Sequence, residues 1–390
     1  MNPTRRLFGC ALCAGAFFAA ARIAGAQQPA KEWLVPGYRP PPNSDEKGLW
    51  SLMERAERDL KTSRFVIRDA ELNAYLRDIA CRLAQDYCPD VRVYLVRTAQ
   101  FNASMAPNGM MEVWTGLLLR CTDEAQLAAI MGHELGHYVR RHTLARWRDA
   151  RSKADFSAFL GLGLVVAGLG AAALASDAVL LASMFAFSRD QEREADEIGL
   201  DLMTRAGYAP AAAPDVWAQL IAEFKASSAQ RSRQLFFATH PEPEERMATL
   251  RKAAEARAAA TGENGRERYL AKLAGVRARM IGDELALRQY GRSEVVFDRL
   301  LEQSDDDGVL WYGKGEVYRL RAGPNDAERA LDAYGKALQT ASAPPEVYRS
   351  LMLVELKAGA RDRAQAAFDE YLARKPGAGD AESLRMLLSR

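Results

Sequence analysis

The chain has almost no net charge and very little histidine. Its 390 residues hold 53 Lys and Arg against 51 Asp and Glu, which gives a formal net charge of +2. A balance this even offers no electrostatic reason to expect nucleic acid as a partner. The chain has four histidines, and two of them share one five-residue motif. The length allows two or three domains.

That motif is His133-Glu134-Leu135-Gly136-His137. In a helix, residues four apart lie on one face, so both imidazoles can point at a single ion. Two neutral imidazoles suit zinc, and the glutamate between them can act as general base on water at the zinc. Thr122 is the predicted N-cap of this helix, and Gly136 is small enough for a second helix to approach.

A zinc site of this kind needs a third protein ligand. His142 lies nine residues after His133, roughly half a turn away on a continuous helix, so we expect it to point away. Residues 188–196 are rich in charge, which alone is typical of a solvated surface. Within them, Glu192 has the reach to bind the metal. Asp196, on the same face, could accept the second N–H of a ligand histidine and fix its tautomer.

Together, these two motifs resemble those of the gluzincin metallopeptidases of the CAAX prenyl protease and HtpX group. They are most similar to the periplasmic BepA-like (YfgC-like) peptidases with tetratricopeptide repeats. The further matches are short segments on either side of the motif: Asn102-Ala103, Pro107-Asn108-Gly109, Thr115-Gly116-Leu117-Leu118 and Thr239-His240-Pro241. The resemblance covers residues 45–255 in the peptidase part.

The resemblance implies one zinc ion per chain, bound by His133, His137 and Glu192, with Glu134 as the catalytic base and Asp196 behind a ligand. It also implies a mainly α fold with a small β-sheet: a gluzincin-type zinc peptidase domain followed by an α-helical tetratricopeptide-repeat domain. The implied substrates are outer-membrane β-barrel precursors, and the repeats would engage the β-barrel assembly machinery.

Residues 91–96 alternate between apolar and polar side chains and predict one strand of the small sheet; residues 110–114, after the predicted turn at Pro107-Asn108-Gly109, predict the next. An edge of such a sheet beside a zinc helix can pair with an extended peptide through backbone hydrogen bonds. Asn102 and Ala103 are expected on or near that edge. Ser104-Met105 follows them where the family more often has a larger aromatic residue, which leaves the shape of this edge open.

Residues 1–26 predict an export signal. Arg5-Arg6 precede an apolar stretch, and Ala24-Gly25-Ala26 is typical of a cleavage site. The paired arginines fit the twin-arginine route; a Sec signal and an uncleaved anchor are the alternatives. Residues 27–43 form a proline-rich leader. The mature protein is therefore expected in the periplasm.

Three cysteines, Cys81, Cys88 and Cys121, follow the predicted signal. An oxidising compartment permits one disulfide and one free thiol. Helices are predicted over 45–62 and over 70–86, the second capped by Asp69. On one continuous helix Cys81 and Cys88 would lie about 10 Å apart, too far to bridge, unless the helix frays near Pro89. The pairing stays open.

Residues 156–187 contain one ionisable side chain, Asp177, and are long enough to span a bilayer. The two zinc motifs flank this segment and must reach one site. We therefore favour an apolar helical hairpin, folded over the site or touching a membrane surface, over a transmembrane hairpin. The zinc metallopeptidase domain is predicted over residues 44–258.

His240 is predicted to lie on a loop, because the following proline disfavours helix. It is expected to approach the zinc in one of two roles. As a donor, it would stabilise the oxyanion of the reaction. As a fourth ligand, it would displace water and make the enzyme latent. Arg246 is expected to support the same loop.

The last third of the chain is repetitive. The segment at 330–334 recurs at 364–368, an offset of 34 residues that is typical of tetratricopeptide repeats. Residues 263–390 are therefore predicted to form tetratricopeptide-like helical repeats, with a less typical unit at 267–302. Stacked helix pairs of this kind make a concave surface that binds peptides or proteins.

The sequence thus predicts an exported zinc-dependent endopeptidase that degrades unfolded or misassembled envelope proteins in outer-membrane protein quality control. Two alternatives remain. The first is a chaperone or adaptor with latent proteolysis. The second is an integral membrane protease, which depends on residues 156–187 alone.

Overall fold

The structure is a computed structural model, and it describes residues 33–152, 187–227, 242–257 and 261–389. The elements below are numbered over these residues. The fold is mainly helical with one small sheet, as predicted. The predicted signal at 1–26, His240 and all of the apolar segment 156–187 except Phe187 lie outside the described residues.

The first two thirds of the chain contain the sheet and eight α-helices within the described ranges. The elements up to residue 152 are α1 Asp45–Thr62, α2 Ala70–Ala84, β1 Arg92–Val96, β2 Ala103–Met105, β3 Met110–Trp114, α3 Thr115–Arg120, α4 Glu124–Val139 and α5 His142–Ser152. The next three helices are α6 Arg189–Arg205, α7 Ala212–Ala226 and α8 Pro243–Glu255.

The remaining helices follow one another with short turns. They are α9 Arg266–Ala286, α10 Tyr290–Leu301, α11 Gly308–Arg321, α12 Asp326–Leu338, α13 Glu346–Lys357, α14 Arg361–Arg374 and α15 Ala381–Leu388. Ala330 and Ala364, and likewise Tyr334 and Phe368, are buried at equivalent places in α12 and α14. These pairs are 34 residues apart. The tetratricopeptide assignment remains a prediction.

The sheet has the order β1-β3-β2, with β1 parallel and β2 antiparallel to β3. As in any β-strand, successive side chains of β3 face opposite sides of the sheet. Met111 and Val113 enter the main core, whereas Met110 packs in a second cluster with residues of α1. Strand β2 is short and lies at the edge of the sheet, beside α4.

The end of α2 corrects one sequence expectation. Asp69 caps its start as predicted, accepting from the Leu72 amide. The helix ends at Ala84 because Gln85 has a φ of 50° and begins a 3₁₀ turn. This turn brings the Cα atoms of Cys81 and Cys88 to 4.6 Å, and the two form a disulfide. Cys121 is a buried thiol.

Helix α4 runs through the centre of the protein, and all of its residues are buried. Its small and apolar side chains suit an environment that is buried on every side. The N-cap is Asp123, whose side chain accepts from the Gln126 amide, and not Thr122 as predicted. Helix α6 packs along α4. None of the helices in the described ranges combines the length and apolar character needed to cross a bilayer.

Candidate metal centre

His133 and His137 lie one turn apart on α4, and their rings meet near one point. The two Nε2 atoms are 3.0 Å apart. Both residues are buried, with 4% and 1% of their surface exposed. Burial lowers the pKa of His137 well below its ordinary value, which favours the neutral imidazole that a metal requires.

Glu192 enters the same point from the first turn of α6. Ser188 and Gln191 form a capping box that fixes the start of this helix. The carboxylate oxygens of Glu192 lie 3.5 Å from His133 Nε2 and 3.4 Å from His137 Nε2. These three residues form a group that could hold a metal ion.

The spacing of these three donors fits a metal. Two ligands bound at about 2.1 Å to a tetrahedral ion lie roughly 3.4 Å apart. The measured separations of 3.0, 3.4 and 3.5 Å lie close to that value. Two neutral imidazoles and a carboxylate also match the donors that a first-row metal prefers.

Small residues allow α4 and α6 to approach closely enough for this geometry. A Cβ placed on Gly136 would lie 2.8 Å from the Ala195 carbonyl oxygen. One turn away, a Cβ on Gly199 would lie 2.6 Å from the His133 backbone nitrogen. The expectation that Gly136 admits a close approach of a second helix is therefore confirmed.

Asp196 contacts the outer nitrogen of His133. The distance from His133 Nδ1 to Asp196 Oδ1 is 2.8 Å. If Nδ1 carries the proton and donates to Asp196, Nε2 presents its lone pair to the metal position. Burial opposes ionisation of Asp196, but Arg246 outweighs it, so the pKa of Asp196 is lower than usual.

Arg246 from α8 has a larger part in the site than the sequence indicated. Its guanidinium donates to Asp196 Oδ2 and Oδ1 at 2.7 and 2.6 Å, and Nη1 is 2.6 Å from Glu192 Oε2. It also lies 3.9 Å from the centre of the Trp217 ring. A buried cation thus offsets two buried carboxylates. The only sequence signal for this role of Arg246 was its position six residues after His240.

The surroundings of His137 correct a second expectation. His142 does not point away: its Nδ1 lies 2.8 Å from His137 Nδ1. Helix α4 ends at Val139, and Arg141, with a φ of 56°, turns the chain so that His142 begins α5 beside the site. The argument for His142 pointing away assumed one continuous helix. On another side, Phe187 stacks on His137 with ring centres 3.7 Å apart.

The other candidate residues occupy different positions. Glu134 is buried on α4 between the two histidines, and its charge helps to raise the pKa of Arg246. Ala103 begins the edge strand β2, and the Asn102 carbonyl accepts from the Trp114 amide just before it. His240 lies outside the described residues.

The fold and the donor set define the class: a metallopeptidase domain built on a helix pair beside a small mixed sheet. Residues 66–254 match the model of Peptidase family M48, and this part of the chain is a domain of that family. It contains both histidines of the motif, Glu192 and Arg246.

Similar proteins agree with this assignment. A putative beta-barrel assembly-enhancing protease of Vibrio cholerae is 30% identical over 277 residues, 67% of this chain and 54% of that protein. The beta-barrel assembly-enhancing protease of Escherichia coli is 27% identical over 329 residues, 82% of this chain and 58% of that protein. The chain thus spans little more than half the length of these relatives. The predicted resemblance to BepA-like peptidases is confirmed.

A shorter match links the chain to a third protein. The mitochondrial metalloendopeptidase OMA1 of Schizosaccharomyces pombe is 33% identical over 156 residues, which is 40% of this chain and 44% of that protein.

Proposed function

We propose that the chain is an exported zinc-dependent endopeptidase that degrades unfolded or misassembled envelope proteins in outer-membrane protein quality control. One observation carries this proposal: His133, His137 and Glu192 form a buried donor triangle, and Glu134 lies on the same helix. The match to Peptidase family M48 supports it.

Zinc is the metal that this donor set suits best, because two neutral imidazoles and one carboxylate leave one tetrahedral position open. When bound, zinc supplies a Lewis acid that polarises a peptide carbonyl and acidifies water. His133, His137 and Glu192 would hold it. Asp196 would keep His133 in the ligating tautomer, and Arg246 would keep Asp196 ionised.

Glu134 is the proposed general base. Its carboxylate would take a proton from the attacking water and then deliver it to the amide nitrogen that leaves. A glutamate between two ligand histidines on one helix would lie near enough to the reacting atoms for both transfers.

The edge strand β2 is the proposed substrate contact. An extended peptide could add to this edge through backbone hydrogen bonds, with Asn102 and Ala103 nearest the added strand. Backbone pairing makes few demands on side chains. It requires an unfolded segment, which is why we propose unfolded proteins as substrates.

The cellular setting rests on three features. The predicted N-terminal signal indicates export to the periplasm, and the Cys81–Cys88 disulfide suits an oxidising compartment. The names of the relatives suggest β-barrel precursors as substrates and the β-barrel assembly machinery as a partner.

Two parts of the chain would make these contacts. Helices α9–α15 would bind either the substrate protein or the assembly machinery. Residues 156–187 would make peripheral contact with a membrane surface, which carbonate extraction of membranes would test.

Zinc content and casein cleavage, measured on the native protein beside Glu134→Gln, test the activity. We expect both proteins to bind about one zinc ion per chain. Cleavage by the variant should fall by roughly 10²–10⁴-fold, since it loses the base but keeps all three ligands. Absence of zinc from the folded, metal-supplied native protein would contradict the site. Zinc without cleavage in either protein would favour latency or an adaptor role.

His240 is proposed to act on the same site, either as an oxyanion donor or as a fourth ligand. Replacing His240 with Ala separates these roles in the casein assay. Loss of cleavage with unchanged zinc content supports the donor. A gain in cleavage supports a ligand that holds the enzyme latent, and an unchanged rate removes both roles.

A further inference from the structure

The outer nitrogens of the two ligand histidines have different contacts: His133 Nδ1 lies beside Asp196, whereas His137 Nδ1 lies beside another imidazole. His137 Nδ1 lies 2.8 Å from His142 Nδ1, and His142 Nε2 lies 3.2 Å from Glu194 Oε2. We propose that His142 and Glu194 form a hydrogen-bonded relay that fixes the tautomer and orientation of His137 for metal binding. This inference rests on the proposed function.

One arrangement of protons satisfies every contact in this relay. His137 Nε2 faces His133 and Glu192, so it must keep its lone pair to bind a metal. Its Nδ1 then carries the proton and donates to His142 Nδ1. Because His142 accepts at Nδ1, its own proton lies on Nε2, where Glu194 accepts it. Neither ring can exchange its tautomer without breaking a buried contact.

The relay is also held at its outer end. Arg140 Nε donates to the second oxygen of Glu194 at 2.8 Å. His142 is 3% exposed, and Phe187 limits rotation of the His137 ring from another side. Each member thus has its orientation set by packing as well as by hydrogen bonds.

The two ligand histidines are therefore tied to one helix, α6, by different routes. Asp196 contacts His133 directly, whereas Glu194 reaches His137 through His142. Glu192 of the same helix completes the donor triangle. A single rigid helix then sets both ring orientations and the third ligand together. His142 and Glu194 are positioning residues, since they act on the metal through His137.

The test measures the zinc dissociation constant by competition with a chelator, on the native protein and on two His142 variants. In His142→Asn, the side-chain oxygen can still accept from His137 Nδ1, so we expect affinity close to that of the native protein. His142→Leu cannot accept and should weaken zinc binding by about 10–100-fold. Equal affinity for the Leu variant and the native protein would overturn the relay. So would an equal loss in the Asn and Leu variants.

A matched pair on α6 tests the outer end. Glu194→Leu should weaken zinc binding as His142→Leu does, whereas Glu197→Leu changes an exposed residue three positions on and should leave it unchanged. Thermal unfolding of each metal-free variant identifies those that fail to fold. If the native protein itself binds no zinc, the proposed function fails. If it binds zinc and both Leu variants at 142 and 194 bind equally well, the relay alone fails.

NMR spectroscopy tests directly where the protons of the relay lie. With ¹⁵N-labelled histidine, the chain presents four imidazoles, and long-range ¹H–¹⁵N correlations show which ring nitrogen carries each proton. We expect His142 of the zinc-loaded protein to carry its proton on Nε2, with the signal assigned by its loss in His142→Asn. A proton on Nδ1 of His142 would overturn the proposal.

Discussion

Glu57 shows what single residues contribute to this fold. Its carboxylate lies in α1 beneath the sheet and accepts from Arg92 at 2.6 and 2.7 Å, from Tyr94 at 2.7 Å and from Asn108 at 3.0 Å. Burial opposes its ionisation, yet the hydrogen bonds from Arg92 and Tyr94 prevail and lower its pKa to about 2. This one group ties α1 to β1 and to the turn before β3.

The lowered pKa of Glu57 predicts a pH-dependent contribution to stability. A carboxyl group with a depressed folded-state pKa stabilises the fold above its unfolded pKa of 4.5, and this contribution is lost as the pH falls towards 2. Glu57→Gln should therefore lower the free energy of unfolding at pH 7 by about 2–3 kcal/mol. Urea unfolding between pH 7 and pH 3 measures the difference.

The difference between the native protein and Glu57→Gln should narrow below about pH 4.5, because the unfolded chain then takes up a proton at Glu57 while the folded carboxylate, with a pKa of about 2, stays ionised. Glu54→Gln on the same helix provides the control, since this half-exposed residue makes a long ion-pair contact of 3.6 Å with Lys47. A difference for Glu57→Gln that is constant across this pH range would contradict the expected linkage.

At the scale of elements, the crossing of α4 and α6 decides whether the metal centre exists. Gly132, Gly136, Ala195 and Gly199 bring the two backbones into contact. The helices would separate if these positions carried larger side chains, and Glu192 would then move away from both histidines. Small residues where α4 and α6 cross are thus as necessary to the metal centre as its three ligands are.

Gly199→Ala should disrupt this crossing. The added methyl group would meet the His133 backbone nitrogen at 2.6 Å, and overpacking of this kind costs about 1–3 kcal/mol. We expect a lower midpoint of thermal unfolding and weaker zinc binding. Gly275→Ala is the matched control: a Cβ at this position of α9 meets nothing within 4 Å. That change should stabilise the protein by up to about 1 kcal/mol. Unchanged zinc affinity in Gly199→Ala would contradict the prediction.

At the scale of the molecule, a buried charge network joins the peptidase segment to the later helices. Arg120 of α3 donates to Glu223 of α7 at 2.7 Å and to Glu284 of α9 at 2.8 Å. From α10, Arg292 donates to Glu284 and Arg299 donates to Glu223. The side chains of Arg120, Glu223 and Glu284 are at most 3% exposed. The later helices therefore share the core of the peptidase segment.

Arg120→Met should destabilise the whole chain. Removing one member of a buried network leaves carboxylates short of positive charge and costs about 3–5 kcal/mol. Arg97→Met is the control, because its ion pair with Asp283 also joins the two regions but the Arg97 side chain is 48% exposed. That change should cost less than about 1 kcal/mol.

Calorimetry checks both Arg120→Met and its control. Because of the shared core, we expect the native protein to melt in one transition, and the transition of Arg120→Met should move to a clearly lower temperature. Two separate transitions in the native protein would contradict the coupling that this network implies.

Local patterns in the sequence were sufficient for much of the fold. Alternation predicted β1, the turn at residues 107–109 predicted the start of β3, and the cap at Asp69 predicted the start of α2. The four-residue spacing predicted that His133 and His137 meet. These features depend on neighbours along the chain. Helix boundaries failed by one or two residues, at Thr122 and at the end of α2, because several nearby residues can serve as a cap or a turn.

By itself, the sequence determined the donor types, their spacing within each helix, the small residues at the crossing and the family resemblance. Three features were decided by the tertiary structure alone: the Cys81–Cys88 disulfide, the contact of His142 with His137, and the hydrogen bonds from Arg246 to Asp196. The physical reason is the same in each case. Periodicity fixes where a side chain points on a regular helix, but these contacts form where a helix ends or where distant helices pack, and only the folded chain sets those distances.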